Sequence, residues 1–414
     1  MPCLRAATPA LFTLPRREPP VLTRLEPIIQ NGLERVFPAL SLTILKDGEI
    51  CLDKAWGVIE DSIPVTSDSL FDLASVTKLF TCTAFLSLVS EGIARLDDLL
   101  VSVIPEFGTS GPRPLDGGQN PHSKALLPIP ESVLGQTVDP TQVTFRHLLT
   151  HTSGLAPWRD VYHSAGPTPL PPDQPDPVSP QERWGNTLRA LCEHPFVGQP
   201  GEGLVRYSDL GLMLLGEAVS RLHGTTLDET IRVRVLKPLN LKSMTFNPMR
   251  LGIDRNNIVP TEDDQGWRGR RCWGEVHDEN ACGAGGISGH AGLFGTARDL
   301  AVFGQAWLTN DPRLGIAPEW MVAAKQEHAA SFGIRRGLGW LLKSFEDSSA
   351  GDRFSRDSYG HTGFTGTSLW IDPERALVVA CLTNRVYLGR DHPEDIHAFR
   401  RAIHDEIVTA LEDI

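Results

Sequence analysis

No stretch of the 414-residue chain is apolar for long enough to span a bilayer. No run of lysine or arginine stands out, and the formal net charge is -12. An acidic balance without basic clusters argues against a nucleic-acid partner and against binding to an anionic membrane surface. The seven cysteines (Cys3, Cys51, Cys82, Cys192, Cys272, Cys282 and Cys381) are odd in number and scattered, with no Cys-x-x-Cys pair. That pattern builds neither a disulfide framework nor a zinc site. Cys82 and Cys381 fall in apolar runs, where each behaves as a small hydrophobe. This usage points to a reducing, cytoplasmic setting. Internal repeats are missing. So is the Gly-Lys-Ser/Thr of a phosphate loop, although residues 283–295 hold six glycines. That stretch reads as a tight loop with close backbone approach.

What is present suffices for a large core, in one big domain or two intimate lobes, since 41 % of the residues are hydrophobic. Residues 1–20 carry Arg5, Arg16 and Arg17 around a short apolar piece broken by Pro9 and Pro15, and read as a loose arm. Helical spacing runs from Val21 to Phe37. Two alternating runs, 40–45 and 50–57, then flank Asp47-Gly48, the strongest short hairpin signal. The middle third is dominated by helical patterns, including a buried one over 210–222, and is interrupted by Pro-rich excursions at 108–140 and 157–180. The end returns to strands over 366–371 and 376–383 and closes with an amphipathic helix from Pro393 to Leu411. The expected class is α+β, an antiparallel sheet flanked by the N- and C-terminal helices plus an all-α lobe. The main domain is 21–411, with a discontinuous α/β lobe (about 21–74 and 275–411) and a helical lobe (about 75–274). A cleft between lobes is where a site belongs.

The chain is organised around Leu73-Ala-Ser-Val-Thr-Lys-Leu-Phe80. A loop here turns into a helix, and Ser75 and Lys78, three residues apart, share a face. A serine hydroxyl needs a base beside it. Lysine serves if its proton comes off near neutral pH. The following run, Leu79 to Val89, is apolar all round, as a buried helix is. Its lysine therefore needs a partner or a lowered pKa. Alone, Ser-x-x-Lys is weak evidence, because Ser75 could be a helix cap and Lys78 a solvated charge.

A proton shuttle is the missing part. Of four tyrosines, only Tyr207 opens a helix, in Tyr207-Ser-Asp209 behind a Pro-Gly turn. A neighbouring ammonium can lower a phenol's pKa for acid-base work. A third segment, Tyr359-Gly-His361-Thr362-Gly363-Phe364, precedes the final hairpin, and a glycine there lets backbone approach a ligand.

The ordered set Ser75-x-x-Lys78, Tyr207-Ser-Asp209 and His361-Thr-Gly363 resembles the three motifs of penicillin-recognising serine hydrolases. It is most similar to the branch of class C β-lactamases, low-molecular-mass penicillin-binding proteins and β-lactamase-like esterases. The resemblance implies a β-lactamase/transpeptidase-like fold, Ser75 as acylated nucleophile, Lys78 as base and Tyr207 as proton shuttle. It implies an oxyanion hole from the backbone N–H groups of Ser75 and Phe364, with Asp209, His361, Thr362 and Gly363 at the substrate. No cofactor is implied.

Two departures matter. The family's second motif commonly ends in Asn, where this chain has Asp209, and the third commonly begins with Lys, where it has His361. Histidine is mostly neutral at pH 7. Losing a charge-assisted bond of about 1.5–3 kcal/mol weakens carboxylate recognition roughly 10- to 100-fold. The expected substrates are therefore small-molecule carboxylic esters or D-amino-acid peptides, with weak β-lactam binding or hydrolysis. Acyl transfer by the same three residues, and a catalytically silent binding module, are the alternatives. His147 and His151 have a metal-like i, i+4 spacing, but the glutamate of His-Glu-x-x-His and a third ligand are missing, and no metal is expected. The sequence leaves the oligomeric state open.

Overall fold

The computed structural model describes residues 20–60 and 63–413. The expected arm 1–20 lies outside them except for Pro20, which starts the first helix. The elements that position the site, in chain order, begin with helix α1 (Pro20–Arg35). Strands β1 (Ala39–Lys46) and β2 (Glu49–Gly57) follow. The helical half contains α2 (Thr77–Ser90), α3 (Phe145–Leu149), α4 (Pro180–Glu193) and α5 (Asp209–His223). The chain then returns through α6 (Ala297–Leu308). Strands β3 (Ala329–Ser331), β4 (Ile334–Arg336), β5 (Leu341–Leu342), β6 (Tyr359–Thr362), β7 (Ser368–Asp372) and β8 (Leu377–Thr383) come next. Helix α7 (Pro393–Glu412) ends the fold.

All eight strands form one sheet, in the order β3-β4-β5-β6-β7-β8-β1-β2, with every neighbouring pair antiparallel. The first and last strands of the chain, β1 and β8, pair in its interior, where Leu42 of β1 faces Cys381 of β8. Alternation assigns the two faces. Leu40, Leu42, Ile44, Leu377, Val379 and Cys381 join Leu25, Ile29, Phe399 and Ile403 of α1 and α7 in one core. Val378, Ala380 and Leu382 point the other way, into the core shared with Leu300 and Phe303 of α6. The hairpin turn has positive φ at both Asp47 (54°) and Gly48 (85°), which a two-residue turn between twisted strands requires.

Helix α2 is buried along its length from Thr77 to Val89, as its all-round apolar sequence dictates. A short ribbon of Phe71–Asp72, Leu293–Gly295 and Thr245–Phe246 brings the chain into α2. Three strands were not read from sequence. β3, β4 and β5 span two or three residues each, too few for an alternation to register. The helical half also carries two-residue ribbons, Arg113–Pro114 with Thr137–Val138 and Asp263–Asp264 with Arg270–Arg271. No helix among the described residues is long and apolar enough to cross a membrane. The six described cysteines are all free.

Candidate active site

Ser75 sits in a single 3-10 turn, Ala74–Val76, fused to the start of α2. Ala74, just before it, has φ +46°, a left-handed conformation that strains a residue with a Cβ. Asp72 holds it there. One carboxylate oxygen accepts the Ala74 N–H at 2.8 Å, and the other accepts the His277 N–H at 2.7 Å. Complete burial pushes the Asp72 pKa up, against these two bonds.

One turn on, the Lys78 ammonium makes two hydrogen bonds and one ion pair. It donates to Ser75 Oγ at 2.9 Å and to the His290 carbonyl at 3.1 Å. It lies 2.7 Å from Asp209 Oδ1, an ion pair without hydrogen-bond alignment. Of the two expectations for this lysine, a partner or a lowered pKa, the structure shows the partner. Burial is the largest single influence on its pKa and lowers it, but Asp209, with Tyr207 beside it, outweighs burial, and the net shift is upward. Asp209, expected at the substrate, also holds Lys78 charged.

Tyr207 precedes the N-terminus of α5, where the Ser208 side chain caps Gly211 N at 3.2 Å. The Lys78 ammonium is 4.9 Å from its ring centroid. The expected lowering of its phenol pKa is reversed. Burial dominates and raises it, although Lys78 pulls the other way. The His151 ring packs against Tyr207, tilted by 43° with centroids 4.7 Å apart, and its Nδ1 accepts the Ser208 N–H at 3.0 Å. Its i−4 neighbour, His147, caps the start of α3 through Thr144. The histidine pair is thus two separate local devices, and His151 orients the motif that holds Tyr207.

His361, on β6, is buried, and burial together with the nearby Arg336 and Lys78 charges holds its pKa well below the usual range. Its Nδ1 donates to the Thr362 carbonyl at 2.9 Å. A neutral imidazole offers no cation for a carboxylate. Arg336, which sequence reasoning missed, does. It is 6 % exposed on β4, and its Cζ is 5.1 Å from the Tyr207 ring centroid. Its Nε and Nη1 have no hydrogen-bond partner among the described residues. Burial pushes its pKa down to about 10, so it stays charged at neutral pH. Nothing local to Arg335-Arg336 signals burial, because that depends on which edge of the sheet folds over Tyr207.

A cavity of about 550 Å³ brings these groups together, with Ser75, Tyr207, Asp209, Arg336, His361 and Thr362 in its wall. Gly363 and Phe364 also line it, so every site residue expected from sequence except buried Lys78 borders this space. The Phe364 N–H has no acceptor among the described residues. The glycine-rich stretch makes the expected close approach. A Cβ on Gly289 would lie 2.1 Å from the Leu212 carbonyl of α5, and the same loop presents the His290 carbonyl to Lys78. The ligand atoms of Asp209, Asp278 and His290 lie within 4.8 Å of one another. Lys78 already balances that charge, and Asp278 hydrogen-bonds His290 Nε2 at 2.8 Å.

The arrangement is that of a serine hydrolase, in which a hydroxyl with a lysine and a tyrosine beside it faces a cleft. A family model, Beta-lactamase, matches residues 25–402, and the chain belongs to this family. Among curated relatives, a "Putative D-alanyl-D-alanine carboxypeptidase" of Salmonella enteritidis is 30% identical over 401 residues, covering 90% of this chain and 84% of that protein. A protein of the same name from Escherichia coli is 30% identical over 396 residues, covering 88% and 82%. Among solved structures, EstCE1, described as a hydrolase with promiscuous acyltransferase activity, superposes with a TM-score of 0.69 at 19% identity, covering 94% of this chain and 98% of that one. The octameric penicillin-binding protein homologue from Pyrococcus abyssi gives 0.64 at 22%, covering 92% and 76%. The structural likenesses speak for the fold. The family match and the curated relatives identify the chain as a β-lactamase-family serine hydrolase.

Proposed function

We propose that Ser75 attacks an acyl carbonyl while the free-amine form of Lys78 takes its proton, that Tyr207 gives its phenol proton to the leaving group and recovers one from Lys78, and that water then releases the acid from the acyl-enzyme. The observation that carries this is the 2.9 Å contact of Ser75 Oγ with a buried lysine on the wall of the cavity. The backbone N–H groups of Ser75 and Phe364 are the oxyanion donors, and His361, Thr362, Gly363 and Asp209 line the substrate's path.

The favoured substrate is a peptide ending in a D-amino acid. Arg336 supports this choice, because an unpaired buried guanidinium on the cavity wall suits a terminal carboxylate and offsets the neutral His361. The names of the curated relatives point the same way. Ester hydrolysis or acyl transfer is the second reading, favoured by the likeness to EstCE1.

The test compares three substrates for wild type and Ser75→Ala: a D-alanyl-D-alanine peptide, a short-chain p-nitrophenyl ester and a chromogenic cephalosporin. Turnover of the peptide or ester should fall by orders of magnitude in the variant. Activity that survives Ser75→Ala would sink the mechanism. Ester turnover without peptide turnover would favour the second reading.

A further inference from the structure

The N–H proposed to receive the oxyanion on Phe364 belongs to the peptide unit whose carbonyl is on Gly363. That carbonyl is gripped by a charge from the last helix. Arg400 of α7 is 7 % exposed, and its Nη2 donates to Gly363 O at 3.0 Å and to Thr367 O at 2.7 Å. Among the described residues no carboxylate pairs with it, and burial pushes its pKa down to about 10, which leaves it charged at neutral pH. A buried cation satisfied only by carbonyls costs free energy that packing alone does not demand.

The chemistry of the amide says what this contact does. The peptide is trans, so its C=O and N–H point in opposite directions. A cationic donor on the oxygen fixes the direction of the N–H. It also polarises the amide, which strengthens that N–H as a donor. The rest of the turn is built around the same unit. Thr365 Oγ1 donates to Asp72 O at 2.8 Å, and Thr367 Oγ1 donates to Leu73 O at 3.0 Å. Arg385 Nε donates to Phe364 O at 3.2 Å. A Cβ on Gly363 would lie 2.1 Å from Thr367 Oγ1 and 2.6 Å from Leu73 O. The turn is therefore locked onto the residues that lead into Ser75, and Arg400 grips the donor-bearing amide itself.

We propose that Arg400 is a positioning residue, which from α7 orients and polarises the Gly363–Phe364 amide toward the oxyanion of the transition state. This rests on the acyl-enzyme reading of Ser75.

The test uses the full chain with Arg400→Gln, which removes the charge, and Arg400→Lys, which keeps it but loses the planar fork. Active sites are counted by fluorophosphonate labelling of Ser75, so that rates refer to folded sites. On a p-nitrophenyl ester, kcat per labelled site should fall about 10- to 100-fold in Arg400→Gln, below the loss from deleting an oxyanion donor outright. KM should stay within about threefold, and Arg400→Lys should recover part of the rate. Affinity for a boronic acid, whose tetrahedral adduct on Ser75 carries an oxygen in the same place, should fall in parallel with kcat/KM. Unchanged kcat per site, a change confined to KM, or boronic acid affinity that ignores the substitution would overturn the proposal. If Arg400→Gln does not fold, Arg400→Lys carries the same three comparisons. Wild-type protein that takes no label at Ser75 would instead overturn the acyl-enzyme reading.

Discussion

At position 209 a carboxylate stands where the family commonly has an amide, and it lies 2.7 Å from the ammonium beside the nucleophile. Burial disfavours a charged Lys78, and Asp209 is the strongest of the groups that reverse this. Tyr207 and Asp278 also face the lysine with negative or potentially negative charge, while His151 and His361 are held neutral by burial. The sign follows directly. Replacing Asp209 by Asn lowers the lysine pKa, so the free amine exists at lower pH. The acidic limb of the kcat/KM profile should move down by about one pH unit or more in Asp209→Asn. A limb that stays in place would assign it to another group. Ser75, Lys78, Tyr207 and Asp209 were all legible as residues, because their spacing is local. Their protonation was not, because the charges acting on Lys78 come from α5 and from the loop ahead of the glycine stretch.

Among the elements, α7 shows how a surface-looking helix acquires chemistry. Its apolar stripe was plain in the sequence, with Ile396, Phe399, Ile403 and Ile407 on one face. The same buried face carries two titratable groups, Arg400 and His404. His404 Nδ1 donates to the Ser349 carbonyl at 2.8 Å, and burial pushes its pKa down to about 4. An unfolded imidazole titrates near 6.5. Between those two values the unfolded chain binds the proton and the folded chain does not. Stability is therefore complete above pH 6.5 and falls as pH drops toward 4, by up to about 3 kcal/mol from this group. His151, His361 and His194 act in the same direction. Thermal melts at pH 7 and pH 5 should show a smaller acid-induced drop in Tm for His404→Gln than for wild type. Equal drops would mean that His404 is not the group that resists protonation.

At the scale of the whole molecule, the site exists only where the sheet meets the helical half. Tyr207 arrives just before α5 and Asp209 at its start, Ser75 on the turn into α2 and Lys78 in its first turn, and His361 and Arg336 on strands β6 and β4. Strand β5 separates the last two in the sheet, and the pairing Arg336–Leu341–Gly360 fixes their spacing. The charge that His361 lacks is thus supplied from another strand. Arg336→Gln should lower the preference for a peptide with a free terminal carboxylate over the same peptide amidated by about 10- to 100-fold, the worth of one charge-assisted bond. Measuring kcat/KM for the two peptides checks this. A preference unchanged by the substitution would place the carboxylate elsewhere.

The sequence by itself determined the class of fold, the hairpins, the buried helix and the ordered motifs. These rest on periodicity, on turn residues such as Asp47-Gly48, and on spacings of a few residues. The tertiary structure alone decided that Asp209 holds Lys78 charged, that Arg336 is buried and unpaired beside Tyr207, and that Arg400 grips the Gly363 carbonyl. The reason is physical. Burial and Coulomb interaction depend on distances between segments that are far apart in the chain, and no local pattern encodes those distances.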